Sequence, residues 1–586
     1  MQDRNNILDI FKGIAIIAVI LYHAGVFTYG YLGVDMFLVI GGYLITKSIM
    51  RAYQKGRFSY WDYICNRLVR LWPMAVGVVI ISLAVGYFAM LPDAYKNTCE
   101  TAVGSVTFTN NFVQYITAGN YWDTSNDFKP LMHTWYLGII FQFYVIYPLI
   151  FIICHQCSKN YVRLNITVLS AIFVCSLLFY IFQSTNTALN FYMLPARLFE
   201  FALGGLIALK SLIGMKSYSG RKLLYLLLLL ILILLFVNSS FNVNKVRLLM
   251  TVVLTSCIIV YSEHCEEDTN FNPSKLRILT VLAIFGVASY SLYLWHQVIL
   301  AFYRNIVDDD FTFWSYLITI TLSLVVGLLS YKGIEQPLAA YTKNNRRRKY
   351  LVLGVCGVMS LGIIVFSVKY YKTQGVVRDI PELEVCLNEP RTYAPQDYNA
   401  RISQLYSKPF PPDNGKENVL VVGDSYARDW INIILESEVD SINLIYSQDI
   451  ANDLRQKIEK ADIIFVANNG AIDKYVDYLP AMMKKRFYRV GHKIFDRGIG
   501  GIYNQTRMTG DYTHKEPALI SEINTNERMV FDGMYINLMD SICDSDGRLS
   551  MFTPDKKLIS HDGLHLTRAG AKMFADCINV QRIIKN

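Results

Sequence analysis

The stretch RRRKYLVLGVCGVMSLGIIVFSVKY, residues 346–370, divides the chain into two kinds of sequence. Four cations are followed by an uncharged apolar run from Tyr350 to Val368. At about 1.5 Å per residue such a run crosses the hydrocarbon core of a bilayer. Before it, similar runs dominate. After Val377 they stop, and Pro, Asn and Asp become common between Pro381 and Asn414, as in a loop-rich entry region.

Whole-chain composition agrees. The 586 residues are 53% hydrophobic and only 18% charged, with a mean hydropathy of +0.28. Ordinary soluble domains carry about 25% charged residues. The net charge of +9 does not form a nucleic-acid footprint, because its densest run, Arg346 to Lys349, lies between two apolar segments. A bilayer is the expected partner, and nucleic acid is not. The 11 cysteines form no metal pattern; Cys154 and Cys157 have CxxC spacing but no second pair. No bound metal or cofactor is expected. A disulfide among Cys386, Cys543 and Cys577 is left open.

Moving toward the N-terminus, about eleven stretches are long and apolar enough for spanning helices. They begin near Ile7, Tyr31, Leu68, His133, Leu164, Arg197, Leu223, Val246, Ile278, Phe313 and Tyr350. The first is not read as a cleaved signal peptide, since no small-residue cleavage site follows it. With the N-terminus in the cytosol, the even-numbered loops carry Lys47, Arg51, Lys55, Arg57 and Arg67, then Lys159 and Arg163, then Lys210, Lys216, Arg221 and Lys222, and finally the 346–349 run. The opposite loops carry Asp123, Asp127 and Asp308 to Asp310; the loop holding Glu266, Glu267, Asp268, Lys275 and Arg277 is mixed. This asymmetry places everything after the last helix outside the cytosol.

Toward the C-terminus, NVLVVGDSYARDWINIILES (418–437) reads as a buried strand, a tight turn and a helix, and ADIIFVANNG (461–470) repeats the strand-then-turn design. A small α/β domain with a parallel sheet follows. Ser425 would stand at a strand's carboxyl end and a helix N-terminus, where free N–H groups favour a developing oxyanion. Near the C-terminus, DGLHLT (562–567) brings Asp562 and His565 into one turn. The carboxylate can orient the imidazole, and the imidazole can deprotonate Ser425.

GDS with a later DxxH resembles the SGNH hydrolase family over roughly 417–580. The resemblance implies Ser425 as nucleophile, His565 as base and Asp562 as its orienter. It also implies an oxyanion asparagine, for which Asn468 and Asn469 are the candidates; the family's glycine block has no clear counterpart. His561, beside the pair, is read as a surface residue.

The apolar part resembles the acyltransferase-3 family, whose members acylate extracytoplasmic sugars. The matching blocks, from Leu8 to Pro337, are LDIFKGIAIIAVILYH, YLGVDMFLVIGGYLIT, NRLVRLWP, LMHTWYLGIIFQFYVIYP, ARLFEFALGG, SYSLYLWH and IEQP. Three departures stand out: Lys12 replaces an arginine, Ile140 and Phe141 replace paired glutamates, and Tyr136 replaces a serine. An intramembrane histidine is costly unless functional or paired, and His23 is read as general base or acyl carrier. Arg67 and Arg70, i and i+3 on a helix, can face one anion and suit the phosphates of an acyl donor together with Lys12. Asp9 and Lys12 are spaced to pair. His133 and His296 are read as interfacial anchors.

The expected architecture is a polytopic helical membrane domain of about ten helices plus one linking helix, followed by a three-layer α/β domain. Its boundaries are 1–342, 343–376 (basic loop and linking helix), 377–416 (entry region) and 417–586. The resemblances imply an O-acetyltransferase of a bacterial inner membrane that moves acetyl from acetyl-CoA to a surface glycan. The expected acceptor is a lipopolysaccharide O-antigen or capsule unit, with peptidoglycan as the alternative. A tethered deacetylase or a transporter are the rivals from other classes.

Overall fold

The computed structural model describes residues 6–117, 125–183, 187–211, 221–237, 244–264, 277–308, 311–389, 395–470, 472–495, 498–509, 513–515, 518–544 and 546–585. Of the loop charges used for orientation, Asp123, Lys216, Glu266, Glu267, Asp268, Lys275, Asp309 and Asp310 lie outside these residues. The chain forms two compact units. One comprises Met1–Phe88, Asn97–Tyr303 and Asp310–Tyr371; the other comprises Ala89–Lys96, Arg304–Asp309 and Lys372–Asn586.

In the first unit each of the apolar stretches is helical over its described residues. Among the described residues seven helices are long and apolar enough to cross a membrane, or eight if the pair Arg277–Val287 and Ser289–Ile306, bent by 80°, counts as one span. Leu198–Ser211, at 14 residues, and Arg221–Phe236, at 16 residues, are shorter. Helix contacts rely on small residues, as lipid-embedded packing requires. A Cβ on Gly286 would meet the carbonyl of Asp9, and one on Gly204 would meet that of Val39. The close approach at Gly286 brings the helix Asn6–His23, with Asp9 and Lys12, against Arg277–Val287.

The second unit is built on a parallel sheet. Among the described residues its seven strands are β1 (Glu417–Gly423), β2 (Ile442–Gln448), β3 (Ile463–Ala467), β4 (Arg486–Val490), β5 (Thr513–Lys515), β6 (Tyr535–Ile536) and β7 (Arg548–Ser550). The main sheet runs β2-β1-β3-β4-β6, and β5 pairs with β7 in a separate two-stranded ribbon. All main-sheet pairings are parallel. The apolar, mostly β-branched run Val419–Val422 fills both faces of β1 and is fully buried. The helix Ser425–Glu436 covers one face with Trp430, Ile431 and Ile434, packing with Phe574 of the helix Arg568–Ile578 in one core. Truncating Trp430, at 0% exposure, would cost about 3–5 kcal/mol.

Chain order places β2 on one side of β1 and β3 on the other. The strand order therefore reverses at β1, and the carboxyl end of β1 is the switch point at which open α/β sheets bind ligands. Gly423 is the residue there.

Candidate active site

Gly423 ends β1 with φ +145°, and a Cβ would collide with the carbonyl of Ala467 on β3. Only glycine allows both the turn and the close approach. Asp424 then caps the next helix, its Oδ1 accepting from Tyr426 N at 2.9 Å. Ser425 is the first helical residue.

Ser425 Oγ lies 2.9 Å from His565 Nε2, and His565 Nδ1 lies 2.6 Å from Asp562 Oδ2. The carboxylate can only accept, so Nδ1 carries the proton and Nε2 presents its lone pair to the serine hydroxyl. This tautomer is the one a general base needs. Ser425 and His565 are buried. Asp562 Oδ1 also accepts from Leu564 N at 2.9 Å and His565 N at 2.8 Å, which folds the DGLH turn around its own carboxylate. Burial alone would raise the Asp562 carboxyl. The charge of His561 and the hydrogen bonds of His565 outweigh it and hold the carboxyl well below the usual carboxylate range.

A buried ion pair supports this turn from beneath. Lys493 Nζ lies 2.6 Å from Asp429 Oδ2 and also donates to the Leu564 carbonyl. Asp429 accepts from Leu566 N at 3.2 Å and Asn399 Nδ2 at 2.5 Å, and sits on the same helix as Ser425. The nucleophile helix and the histidine turn are thus tied to one pair of charges.

The asparagine candidates separate. Asn468 is fully buried directly after β3; its Nδ2 donates to the Gly470 carbonyl at 2.6 Å. Asn469 is exposed, and its backbone N–H donates to Asp424 Oδ2 at 2.8 Å. The β3 turn is thereby pinned to the residue before the nucleophile.

His561 is not a surface residue. It is 5% exposed, and its Nδ1 lies 3.2 Å from Asp93 Oδ2, in the 89–96 segment of the same unit. Burial would lower its pKa, but the carboxylates of Asp562 and Asp93 prevail and raise it to about 9. His561, Asp562 and His565 each place a donor atom within 4.8 Å of the others. That is close enough to hold a cation, but the short Asp562–His565 hydrogen bond uses the same atoms. Among the described residues Cys386, Cys543 and Cys577 are not in disulfides.

In the membrane unit, Lys12, Arg67 and Arg70 line one cavity of about 200 Å³ with Asp9, Tyr136 and Tyr293. Lys12 Nζ pairs with Asp9 Oδ1 at 3.1 Å. The Arg67 guanidinium lies over the rings of Tyr63 and Tyr144, at 5.2 and 5.3 Å. Arg67 and Arg70 also line a second cavity of about 480 Å³ with Lys47, Arg51, Lys55 and Arg57. A basic basin therefore adjoins an aromatic chamber, a shape suited to an amphiphilic anion. Ile140, at a departure from the family pattern, lines the chamber; Phe141, at the other, stacks on Phe108 with centroids 4.6 Å apart.

His23 does not line these cavities. It lies with two other histidines, its ring 5.1 Å from His296, which is 5.4 Å from His133. Neither His133 nor His296 is an interfacial anchor, since both are 0% exposed. His133 Nε2 meets the Leu294 carbonyl at 3.1 Å and His296 Nδ1 the Tyr293 carbonyl at 2.6 Å. Tyr293 links the two regions: it lines the chamber and its ring sits 5.2 Å from His133.

Two further polar clusters carry no role in the sequence reading. Arg197 Nη1 bridges Asp35 at 2.5 Å and Glu200 at 3.1 Å, all nearly inaccessible. Glu335 closes a π-helical turn, Tyr331–Glu335, and accepts from Ser291 Oγ at 2.6 Å; such turns recur at functional sites. A charged residue inside a spanning helix was the available signal in each case.

A polytopic helical unit with a basic, aromatic-walled cavity, followed by a parallel α/β unit with a serine–histidine–aspartate array, defines a class of membrane-bound acyl-transfer proteins. The family described as "Acyltransferase domain" matches residues 5–332, and the chain belongs to it. The O-acetyltransferase OatA of Staphylococcus aureus (strain MRSA252) is 23% identical, over 97% of this chain and 95% of its own length. A Bacillus subtilis (strain 168) protein provisionally named peptidoglycan O-acetyltransferase is 24% identical over 62% of this chain. A provisionally named O-acetyltransferase of S. aureus (strain COL) is 28% identical over 56%. The matches span 60% and 56% of the lengths of these last two relatives.

Proposed function

We propose that the protein is an O-acetyltransferase that moves acetyl from acetyl-CoA across the cytoplasmic membrane onto a hydroxyl of a cell-surface polysaccharide. The observation that carries this reading is the Ser425–His565–Asp562 array, 2.9 and 2.6 Å between partners, in a chain of the acyltransferase family. Among acceptors, peptidoglycan is the one named for a relative, and we place it ahead of the lipopolysaccharide or capsule unit expected from sequence.

In this reading the basic basin receives the donor's phosphates and Arg67, Arg70 and Lys12 hold the anion at the chamber mouth. His23 serves as base or acyl carrier. The N-terminus lies in the cytosol and the α/β unit outside. His565 Nε2 takes the Ser425 proton as Oγ attacks the acetyl carbonyl. The bond from that carbonyl to its carrier breaks, and the carrier atom, the CoA sulfur or an imidazole nitrogen acylated in an earlier step, leaves with the electron pair and takes the proton. The acetyl-serine is then attacked by a sugar hydroxyl, deprotonated by the same imidazole, and Ser425 regains its proton. Transfer wins over hydrolysis when the acceptor sugar is bound and water is kept from the acetyl-serine.

The test uses the full chain in nanodiscs with labelled acetyl-CoA and peptidoglycan fragments. Label on the sugar, and on Ser425 when acceptor is withheld, is expected. Label on neither, with folded protein, would sink the proposal.

A further inference from the structure

Arg489 is an unusual residue for the interior of a parallel sheet. It lies in β4 at 0% exposure, where an unpaired charge would be prohibitive. Each of its five N–H bonds has an acceptor. Nε and Nη2 hold Glu527 at 3.0 and 2.9 Å. The other Nη2 proton meets His492 Nε2 at 3.0 Å. The two on Nη1 go to the Val466 carbonyl at 3.2 Å and to Asn468 Oδ1 at 3.0 Å. A guanidinium cannot accept, so the atom of Asn468 facing it is the oxygen. The amide orientation, normally ambiguous by its shape, is therefore fixed by chemistry.

Fixing the oxygen turns the amide nitrogen away from Arg489. One of its two protons goes to Gly470 O at 2.6 Å, which leaves one for another acceptor. Asn468 follows Ala467, and Ala467 pairs in register with Gly423. The turns after the two strands are joined again where Asn469 N meets Asp424 Oδ2 at 2.8 Å. The Asn468 backbone thus stands at the strand end beside the Ser425 turn.

We propose that Arg489 is the positioning residue that aims the Asn468 amide as oxyanion donor for chemistry at Ser425. Glu527 and His492 anchor the guanidinium, the guanidinium anchors Asn468 Oδ1, and the remaining N–H stabilises the charge that develops on the acetyl oxygen. Asn468, not Asn469, fills that role. The inference rests on the reading that Ser425 is acylated.

The test measures turnover of p-nitrophenyl acetate by the full chain in nanodiscs, with thermal unfolding of each variant in parallel. Asn468→Ala should lower kcat about 100-fold with KM unchanged, the size of one lost oxyanion donor. Asn468→Asp keeps an oxygen for Arg489 but loses both N–H donors, including the one on the Gly470 carbonyl, so its unfolding midpoint should drop somewhat. Its kcat should fall as far as that of Asn468→Ala. Arg489→Lys keeps the charge but not the planar fork, so kcat should fall about tenfold or more, with KM and the pH–rate profile unchanged. The double variant Asn468→Ala with Arg489→Lys should be no slower than Asn468→Ala alone. Multiplying losses, an active Asn468→Asp, or Arg489→Lys within about twofold of wild type would each overturn the assignment. Ser425→Ala separates the two levels: if it leaves turnover intact, the underlying reading of the site has failed instead.

Discussion

His565 Nε2 and Ser425 Oγ stand 2.9 Å apart although 140 residues separate them in the chain. Neither local motif contains that distance. It arises because β1 delivers the serine to the switch point of the sheet and the Lys493–Asp429 pair holds the histidine turn against the same helix.

The tautomer makes the first prediction. Asp562→Asn preserves shape but presents an amide where Nδ1–H needs an acceptor. The imidazole would then favour Nε2–H and lose its lone pair toward Ser425. Ester turnover should fall by about 10³–10⁴-fold with little change in KM, as steady-state kinetics would read. A loss below about tenfold would argue that Asp562 does not set the tautomer.

His561 gives a pH signature. Its folded pKa is raised to about 9, against about 6.5 in the unfolded chain. The stability it contributes is fully present below about pH 6.5 and is lost as pH rises through about 9. The unfolding midpoint of the wild type should drop across that window, and His561→Gln should flatten the drop. Calorimetry at a series of pH values decides it; parallel curves would contradict the pairing with Asp562 and Asp93.

Much of this architecture is legible in the sequence, and the missing parts have physical reasons. Hydropathy marks each apolar stretch because lipid demands about 20 such residues. It does not show the 80° bend at Ala288, since the residues on both sides are equally apolar. Aromatic flanks around His133 and His296 look the same in a membrane-interface belt and in a buried aromatic core, and only packing tells them apart. GDS and DGLH are each compact turns, so their local geometry is written in adjacent residues. The Arg489–Glu527 and Lys493–Asp429 pairs join positions 38 and 64 residues apart. Their existence depends on strand register, which no local pattern records.

The buried charge cluster of the membrane unit predicts a stability defect. Arg197→Met strands the carboxylates of Asp35 and Glu200, whose side chains are 2% and 0% exposed. Breaking such a pair costs about 3–5 kcal/mol. Detergent-solubilised variant should unfold at markedly lower temperature. An unchanged midpoint would mean the cluster is not holding these helices.

Donor binding is tested by Arg67→Ala and Arg70→Ala. Each removes charge-assisted hydrogen bonds of about 1.5–3 kcal/mol, so KM for acetyl-CoA should rise about 10- to 100-fold. Hydrolysis of p-nitrophenyl acetate at Ser425 should stay at the wild-type rate, because that substrate bypasses the membrane unit. A parallel loss of both activities would argue against a donor site.

The most direct test of the account is alkali-labile acetate on purified peptidoglycan and, separately, on other surface polysaccharides of a deletion strain. The strain is complemented with wild type, His23→Ala or Ser425→Ala at matched membrane levels. The account predicts that acetate on one glycan vanishes with the deletion and returns only with wild type. Full restoration by Ser425→Ala, or no change on any glycan, would contradict the two-stage transfer.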